Sequence, residues 1–297
     1  MWSVWLLLTL PLLTDSLTKV VVPSVYKEWW TNGSYTPPSW VVDPDIQRKY
    51  NYTVFVYQKV HPSHPNYIAT NRGRENGPFY RYIVDNYEDF PDVAVFVHAD
   101  PAAHQPKFLE WIGCIHPNSS YLNINNQRFF RSTGHWHKYE VWVEQCFRDT
   151  LKLVWNASDV EMHRLLPPDR PIWVSFYCCQ QFIISREMVR RRPLSVWKQL
   201  QHMLAEADVC HDGEPEYESL HAYTKKKVKT GPEPSLLPDT EYTGAPGTGR
   251  ITQAVTSEHL AHVIFGYHDL DMEFPTMNTF CSHFYPRSQC PESPCIK

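Results

Sequence analysis

The stretch NRGRENGPFYRYIVDNYEDFPDVAVFVHAD, residues 71–100, contains the pattern that decides the fold. In its first half, four apolar residues recur at helical spacing: Phe79, Ile83, Val84 and Tyr87. This spacing predicts a helix over residues 78–88. The compact apolar run Val93–Val97 then predicts a buried strand. A helix that leads into such a strand is typical of the repeating unit of α/β proteins.

Further strands and helices extend this unit in both directions. Tyr52–Val60 is rich in β-branched and aromatic residues, which predicts a strand buried on both faces. Ile172–Ile184 is also strand-like, and Ser185 can cap a helix that Pro193 would interrupt. An amphipathic helical stripe follows, made of Val196, Trp197, Leu200, Leu204 and Ala207. Strands that alternate with helices predict a single layered α/β domain with a largely parallel sheet over residues 51–270.

Three flanking or inserted segments differ from this domain in composition. Residues 17–50 contain prolines and aromatics without periodicity, and we interpret them as an extended N-terminal arm. Residues 211–250 are rich in Gly, Pro, Asp and Glu, which predicts a surface insertion. Residues 271–297 form a cysteine-rich tail with Cys281, Cys290 and Cys295. We expect these three cysteines to be oxidised, two of them within the tail and one joined to the domain.

The N-terminal residues indicate export through the secretory pathway. The apolar stretch Leu6–Leu13 suits a signal peptide and is shorter than the roughly 20 residues that cross a bilayer. Residues 1–16 are therefore predicted to be a signal peptide, and an uncleaved anchor is the alternative. No later segment is long and apolar enough to be a transmembrane segment. Four glycosylation sequons agree with a secreted or lumenal protein: Asn32, Asn51, Asn118 and Asn156.

Cysteine content and charge restrict the class of protein further. All 8 cysteines lie beyond the predicted signal peptide, and an even count in an exported chain favours disulfides. Zinc ligation is the alternative, but no CxxC pair occurs. The formal net charge of -4 argues against nucleic acid as a partner. The basic run Lys225, Lys226, Lys227 and Lys229 lies in a Pro/Gly-rich segment, where a solvated loop is the favoured interpretation.

Polar residues just before the predicted helix form one candidate site. Asn71, Arg72, Arg74 and Glu75 come directly before it, and helix N-termini attract anions. Two arginines separated by a glycine can bind a phosphate or a carboxylate bidentately. The alternative is a surface turn whose charges are solvated.

The end of the Val93–Val97 strand is a second candidate, because ligands of open α/β sheets bind beyond the carboxyl ends of strands. His98 and Asp100 follow that strand, and His104 comes four residues later. A carboxylate with two imidazoles can bind a divalent metal, and the carboxylate favours Mn or Mg. An Asp-Pro turn with surface histidines is the alternative.

A third candidate is the pair Glu258 and His262, which are four residues apart and are predicted to share one helical face. Such a pair suits acid/base chemistry or ligand binding, and it is also an ordinary surface pair. Asp269-Leu270-Asp271 has the form of a DxD metal-diphosphate motif, but it follows a helix instead of a strand. We interpret His135-Trp136-His137 as an aromatic loop, and we expect at least one of Cys178 and Cys179 to be bridged to a cysteine elsewhere in the chain.

Three motifs resemble one known family in order and spacing. They are the stretch Asn71–Asp100, CCQQFIISREMVRRRP at Cys178–Pro193, and EHLAHVIFG at Glu258–Gly266. Together they are similar to the family catalogued as domain of unknown function 3431, over roughly residues 50–270. That family has no settled activity, so this resemblance does not identify a reaction.

The first motif is also similar to the Asn-x-Gly-Arg-Asp…Pro-Phe segment of rhamnan-synthesis glycosyltransferase-like proteins. This resemblance implies a GT-A-like domain, in which carboxylates at a strand end hold a nucleotide-sugar diphosphate through a divalent metal. It implies that Asp100 is a metal or donor ligand, helped by His98 where a full DxD would have an Asp. Arg72 and Arg74 would then clamp the diphosphate.

The sequence thus predicts a glycosyltransferase-like protein of the secretory pathway, with Glu75 or Glu258 as the general base. The alternative is a non-catalytic secreted carbohydrate-binding or structural glycoprotein, which the single strand-end carboxylate and the disulfide tail favour. The 11 Trp and 17 Tyr residues suit the stacking of sugar rings under both hypotheses. The expected partner is a carbohydrate or a nucleotide sugar.

Overall fold

A mixed sheet organises the protein. The computed structural model describes residues 17–26, 28–31, 34–60, 62–63, 66–69, 74–131, 141–170, 172, 174–177, 179–206, 252–266, 269–270 and 274–296. Within these ranges the strands are β1 (Lys19–Val25), β2 (Trp30–Thr31), β3 (Ser34–Tyr35), β4 (Thr53–Val54), β5 (Tyr57–Gln58), β6 (Val93–His98), β7 (Tyr121–Asn123), β8 (Phe130–Arg131), β9 (Phe176–Tyr177) and β10 (Phe182–Ser185).

The α-helices of the same ranges are α1 (Ser39–Val42), α2 (Pro44–Tyr50), α3 (Asn76–Asp85), α4 (Phe108–Gly113), α5 (Val141–Trp155), α6 (Asp159–Leu165), α7 (Arg186–Arg190), α8 (Leu194–Gln201), α9 (Thr252–His259), α10 (Ala261–Phe265) and α11 (Met277–Cys281). Short 3-10 turns cover Pro101–Ala103 and Gln127–Phe129, and a π turn, His202–Glu206, continues α8.

Strand β1 lies near the middle of the main sheet. It pairs in parallel with β4 and β5 on one side and with β6 on the other. Beyond β6, strand β10 runs antiparallel to both β6 and β7. The order is therefore β4/β5-β1-β6-β10-β7. This confirms an α/β domain with a largely parallel central sheet.

The interpretation of residues 17–50 as an extended arm is corrected by this topology. The segment contributes β1, whose residues are almost all buried. A strand buried on both faces shows no alternation of apolar and polar residues, so the periodicity test missed it. Pro23 also lies inside the strand, opposite Val97 of β6, whereas proline in a sequence normally argues against a central strand.

The segment Tyr52–Val60 follows β1 along its length, as two short strands and not as one. Both β4 and β5 pair with β1. Between them the Phe55 N–H donates to the Val21 carbonyl at 3.0 Å, and Asn66 Nδ2 donates to the Val56 carbonyl at 3.0 Å. A side chain thus replaces the neighbouring strand as the hydrogen-bond partner at Val56, which breaks the regular ladder.

Two apolar layers cover the sheet. On one face the core joins α3, α5, α8 and α10 through Phe79, Phe147, Trp197 and Phe265. On the other face it joins α1, α4 and the C-terminal tail through Trp40, Phe108, Ile112 and Phe284. Parallel strands require cover on both faces, because their side chains are apolar on both. Each fully buried large side chain contributes about 1.5–3 kcal/mol.

The helices after β10 begin where the sequence predicts. The Ser185 hydroxyl accepts a hydrogen bond from the Met188 N–H at 3.2 Å and caps α7, and α8 starts directly after Pro193. Between them, Arg192 donates to the carbonyls of Val154, Val263 and Ile264, each at 2.8 Å. This one guanidinium therefore joins the α7–α8 turn to α5 and α10.

Two disulfides fix the C-terminal tail. Cys281 pairs with Cys295 inside the tail, and Cys290 pairs with Cys114, which caps α4. The expected oxidation of the three tail cysteines is confirmed, with one of them joined to the domain. The Arg287 side chain also donates to the Ser293 carbonyl at 3.0 Å, which closes the tail on itself.

Other predictions concern the exposure of the glycosylation sequons and the presence of membrane-spanning helices. Asn51, Asn118 and Asn156 are exposed, as glycosylation requires. None of the helices in the described ranges has the length and apolarity that crossing a membrane demands. Residues 1–16, Asn32 and the 211–250 insertion lie outside the described residues.

Candidate functional site

Strands β1, β5 and β6 all end at one edge of the sheet, and a polar cavity of about 180 Å³ opens there. We call it the carboxyl-edge pocket. Its lining residues are Ser24, Tyr26, Glu28, Lys59, Arg74, Glu75 and His98. Three of the residues singled out in the sequence, Arg74, Glu75 and His98, therefore meet in one cavity although they come from two different elements.

Lys59 is the central cation of this pocket. Its ammonium group donates a hydrogen bond to the Arg74 carbonyl. Burial lowers the pKa of Lys59 to about 8, and the carboxylates of Glu75 and Glu28 partly offset that decrease. The pocket thus combines two cationic side chains with two carboxylates, and the charge of one cation is adjustable close to neutral pH.

The loop that carries Arg74 is conformationally constrained. Arg74 adopts a left-handed conformation with φ of 49°, which costs free energy in a residue other than glycine. Strained backbone of this kind occurs preferentially at functional sites. Glu75 follows as the N-cap of α3 and makes no side-chain capping hydrogen bond, so the helix N-terminus beside the pocket has no side-chain cap from its N-cap residue.

Asn76, the first residue of α3, has an unusual environment. Its side chain is only 1% exposed, and neither its amide nitrogen nor its amide oxygen has a hydrogen-bond partner among the described residues. Leaving a buried polar group unpaired costs about 1–3 kcal/mol. Asn76 directly follows the pocket residue Glu75 in the chain, and an unpaired buried amide of this kind suits a water molecule or a ligand atom as its partner.

The predicted metal ligands do not fit a common ion. The rings of His98 and His104 stack, with centroids 4.9 Å apart and an interplanar angle of 18°. Because imidazole lone pairs lie in the ring plane, two stacked rings direct them into separate, nearly parallel planes. Asp100 is exposed and is not among the described residues that line the pocket. Within the described ranges, no group of three or more His, Cys, Asp or Glu residues could hold a metal ion.

Burial also changes the protonation of the two histidines. It lowers the pKa of both His98 and His104, although Glu75 acts in the opposite direction on His98 and Asp100 does so on His104. His98 Nε2 and His104 Nδ1 are buried without a hydrogen-bond partner in the described structure. The stacking of the two rings gives them a packing role at the end of β6.

Glu258 and His262 lie on two consecutive helices and make separate contacts. Helix α9 ends at His259 and α10 begins at Ala261, so a break separates the two residues. His262 is 1% exposed, and its Nε2 lies 3.2 Å from the Leu270 carbonyl inside the protein. Glu258 Oε1 accepts a hydrogen bond from the Cys179 N–H at 3.1 Å. Both contacts position the backbone, and neither residue lines the described carboxyl-edge pocket.

Four of the pocket residues were not found from the sequence: Ser24, Tyr26, Glu28 and Lys59. Lys59 stands one residue before the end of the predicted strand Tyr52–Val60, so the rule that ligands bind beyond strand ends could have identified it. Glu28 follows β1, which was interpreted as part of an arm, and no sequence signal placed it near Arg74. Asn71, Arg72, His135-Trp136-His137, Cys178 and Asp271 lie outside the described residues.

The three sequence motifs meet directly behind the pocket. The His98 N–H donates to Gln181 Oε1 at 3.4 Å, which joins the first motif to the second. The Cys179 N–H donates to Glu258 Oε1, which joins the second motif to the third, and the Gln180 amide donates at 2.5 Å to the carbonyl of Ser257, directly before the third motif. The motifs therefore describe one structural unit and not three separate features.

Comparison with known families covers the first two motifs of this unit. The family described as Protein of unknown function (DUF3431) matches residues 33–217. The chain belongs to the DUF3431 family. The match includes β4 to β10, and with them the first two motifs of this DUF3431 protein. No curated protein and no solved structure matches the chain.

Proposed function

We propose that this DUF3431 protein is a glycosyltransferase-like protein of the secretory pathway that binds a nucleotide sugar at the carboxyl-edge pocket. The observation that carries the proposal is the combination of Lys59 and Arg74 with Glu28 and Glu75 in one cavity. Cations at this edge would neutralise a diphosphate, and carboxylates would bind sugar hydroxyls or activate an acceptor.

The position of the pocket supports this proposal. In open α/β sheets, ligands bind beyond the carboxyl ends of parallel strands, and the pocket lies at the ends of β1, β5 and β6. The N-terminus of the ten-residue helix α3 adds partial positive charge at the same place. A GT-A-like arrangement would place the nucleotide sugar at this edge, next to the His98-Ala99-Asp100 strand end.

The size and charge of the pocket suggest which part of the ligand it holds. Its volume of about 180 Å³ is smaller than the roughly 300–1,000 Å³ of pockets that enclose a whole small molecule. One phosphate group or one sugar ring fits better than a complete nucleotide sugar. Lys59 and Arg74 would contact the phosphate next to the sugar, while Glu28 and Glu75 face its hydroxyls.

The chemistry that this arrangement permits is transfer of the sugar to an acceptor hydroxyl. Glu75 would accept the proton of that hydroxyl, whose oxygen forms a bond to the anomeric carbon. The bond between the anomeric carbon and the diphosphate oxygen breaks at the same time, and the diphosphate leaves with the electron pair. Lys59 and Arg74 would stabilise its growing negative charge. Because the stacked rings of His98 and His104 direct their lone pairs into separate planes, we include no metal in this step.

A non-catalytic carbohydrate-binding or structural glycoprotein is the second candidate. The exposed position of Asp100 favours it, because the segment after β6 then contributes no carboxylate to the carboxyl-edge pocket. A pocket whose donors and acceptors bind a sugar, but do not stabilise a leaving group, would release that sugar unchanged.

The test compares ligand binding in the secreted full-length protein and in matched variants. Nucleoside diphosphate sugars would be titrated calorimetrically against the wild type, Lys59→Met and Arg74→Gln. The matched control is Lys198→Met, which removes an exposed lysine on α8. We expect each pocket variant to weaken binding at least about tenfold, which corresponds to about 1.4 kcal/mol. The control should bind like the wild type.

Turnover separates the two candidates. The release of nucleoside diphosphate would be measured with a panel of glycan acceptors, in the wild type and in Glu75→Gln. Release that depends on Glu75 supports the transferase. Binding of sugars without any release supports the carbohydrate-binding alternative. If no nucleotide sugar or free sugar binds, or if Lys59→Met binds like the wild type, the proposal is wrong.

A further inference from the structure

A second surface feature is formed by residues between the end of α5 and the start of α8, which come later in the chain than the residues of the carboxyl-edge pocket. It is a groove of about 670 Å³. Residues that line it include Leu153, Asn156, Ala157, Arg191, Val196 and Gln199. We call it the Asn156 groove. The volume of this groove is within the range of ligand-binding cavities, so the groove is large enough to hold a ligand.

The lining combines an apolar floor with a polar rim. Leu153, Ala157 and Val196 are partly buried and pack against the core, and together they form the floor. Arg191 and Gln199 are exposed and supply donors and acceptors at the rim. A sugar ring has an apolar face and a circumference of hydroxyls, so it matches a surface of this kind. Polar-rimmed apolar patches generally mark interaction sites.

Asn156 is held at this groove by its backbone. It has a left-handed conformation with φ of 51°, and its N–H donates to the Leu153 carbonyl at 3.3 Å. The next residue, Ala157, donates to the Lys152 carbonyl at 3.0 Å, while Ser158 caps α6. The side chain of Asn156 is exposed and is itself part of the groove lining. Asn156-Ala157-Ser158 is also a glycosylation sequon.

We propose that Asn156 carries an N-linked glycan whose first sugar residues dock in the Asn156 groove and cover the junction of α5 and α8. The inference rests on the secretory location in the proposed function, but it does not depend on the carboxyl-edge pocket. A glycan bonded to Asn156 is tethered beside the groove at an effective concentration of roughly millimolar. Contacts too weak to bind a free sugar are therefore sufficient to hold it.

The test measures how accessible the glycan linkage is in the folded protein. The chain would be secreted from eukaryotic cells, and peptide mapping would determine the occupancy of Asn51, Asn118 and Asn156. A peptide-N-glycanase would then act on the native protein and on the protein in urea. We expect release from Asn156 to be at least about tenfold slower than from Asn118 in the native protein, the change that about 1.4 kcal/mol of docking produces. In urea the two rates should be equal.

A variant of a groove residue tests whether the groove itself slows the release of the glycan. Ser195 is an exposed groove residue on α8, and Ser195→Trp would fill the space without a change to the sequon. We expect this variant to accelerate native release from Asn156 to the rate of Asn118, at unchanged occupancy. Occupancy of Asn118 reports passage through the secretory pathway, independently of docking. An empty Asn156 beside an occupied Asn118, or equal native release rates in the wild type, would overturn the proposal, as would the absence of glycan at all three sites.

Discussion

The imidazole ring of His98 lies almost parallel to that of His104, with the two centroids 4.9 Å apart. His98 ends strand β6, and His104 follows the 3-10 turn Pro101–Ala103, so the stack closes the loop beyond the strand. His104 also packs against the ring of Phe129, whose centroid lies 5.0 Å away and whose plane is tilted by 46°. The strand end is thus occupied by packed rings at the position where a metal site was predicted.

The first prediction is that ligand binding at the carboxyl-edge pocket does not require a divalent metal. Removing metal with EDTA should leave the dissociation constant of a nucleotide sugar within about twofold, since Lys59 and Arg74 supply the neutralising charge directly. Isothermal titration with and without EDTA, and with added Mn²⁺, measures this. A loss of affinity in EDTA that Asp100→Asn reproduces would show that Asp100 holds a metal, contrary to the ring geometry.

The second prediction concerns the pH dependence of binding. Burial lowers the pKa of Lys59 to about 8, so this side chain is charged below that pH and neutral above it. Affinity for a phosphate-bearing ligand should therefore fall as the pH rises through about 8. Lys59→Arg should remove the dependence, because arginine stays charged. Titrations between about pH 6.5 and 9.5 test this, and a pH dependence that persists in the arginine variant would assign it to another group.

The third prediction ranks the two disulfides that fix the C-terminal tail. Cys114–Cys290 spans 176 residues and Cys281–Cys295 spans 14. In the chain-entropy account a loop of about 15 residues contributes about 3 kcal/mol, and one of about 100 residues about 4.7. Replacing Cys114 and Cys290 by serine should therefore lower the free energy of unfolding more than replacing Cys281 and Cys295. Urea unfolding of the two double variants, with disulfide mapping as a control, measures the order. The reverse order would contradict this account.

The fourth prediction is a loss of stability in acid through His259. This ring stacks on Phe176 with centroids 3.6 Å apart, and burial lowers its pKa from 6.5 to about 3. The unfolded chain therefore binds the proton at a higher pH than the folded chain does. As the pH falls from 6.5 towards about 3, the free energy of unfolding should fall by up to about 1.4 kcal/mol per pH unit for this group.

The comparison variant for this fourth prediction is His259→Gln, which removes the titrating ring. Chemical unfolding at a series of pH values should give it a shallower dependence than the wild type between about pH 6.5 and 4. His202→Gln, at an exposed position, should keep the wild-type dependence. Identical slopes for the wild type and His259→Gln would show that His259 does not control the acid sensitivity.

Local patterns were sufficient for the elements whose apolar residues recur at helical spacing, for those that form one compact apolar run, and for those whose ends carry a strong signal. Helix α3 and strand β6 were predicted because their apolar residues recur at helical spacing or form one compact run. Ser185 was recognised as a cap because its hydroxyl accepts a hydrogen bond from an N–H in the first turn of the helix that follows. The two residues are only three positions apart in the sequence. The disulfide tail followed from cysteine spacing in an exported chain.

The features that the sequence did not predict depend on pairing between strands that are far apart in the chain. Strand β1 carries no alternation because it is buried on both faces, and its proline argued against a central position. Glu28 reaches the pocket only because β1 pairs beside β5 and β6, a relationship between distant segments. Glu258 and His262 were predicted to lie on one uninterrupted helix. In the structure one helix ends at His259 and the next begins at Ala261.

The bond between Cys114 and Cys290 has a consequence for a molecule that is cut by a protease. It closes a covalent ring that contains β7 to β10 and α5 to α11. The predicted surface insertion at 211–250 lies inside that ring. One cleavage there opens the ring but releases no fragment, because the two pieces stay joined through sulfur. A nicked protein would therefore keep its full mass under non-reducing conditions and separate into two chains only after reduction.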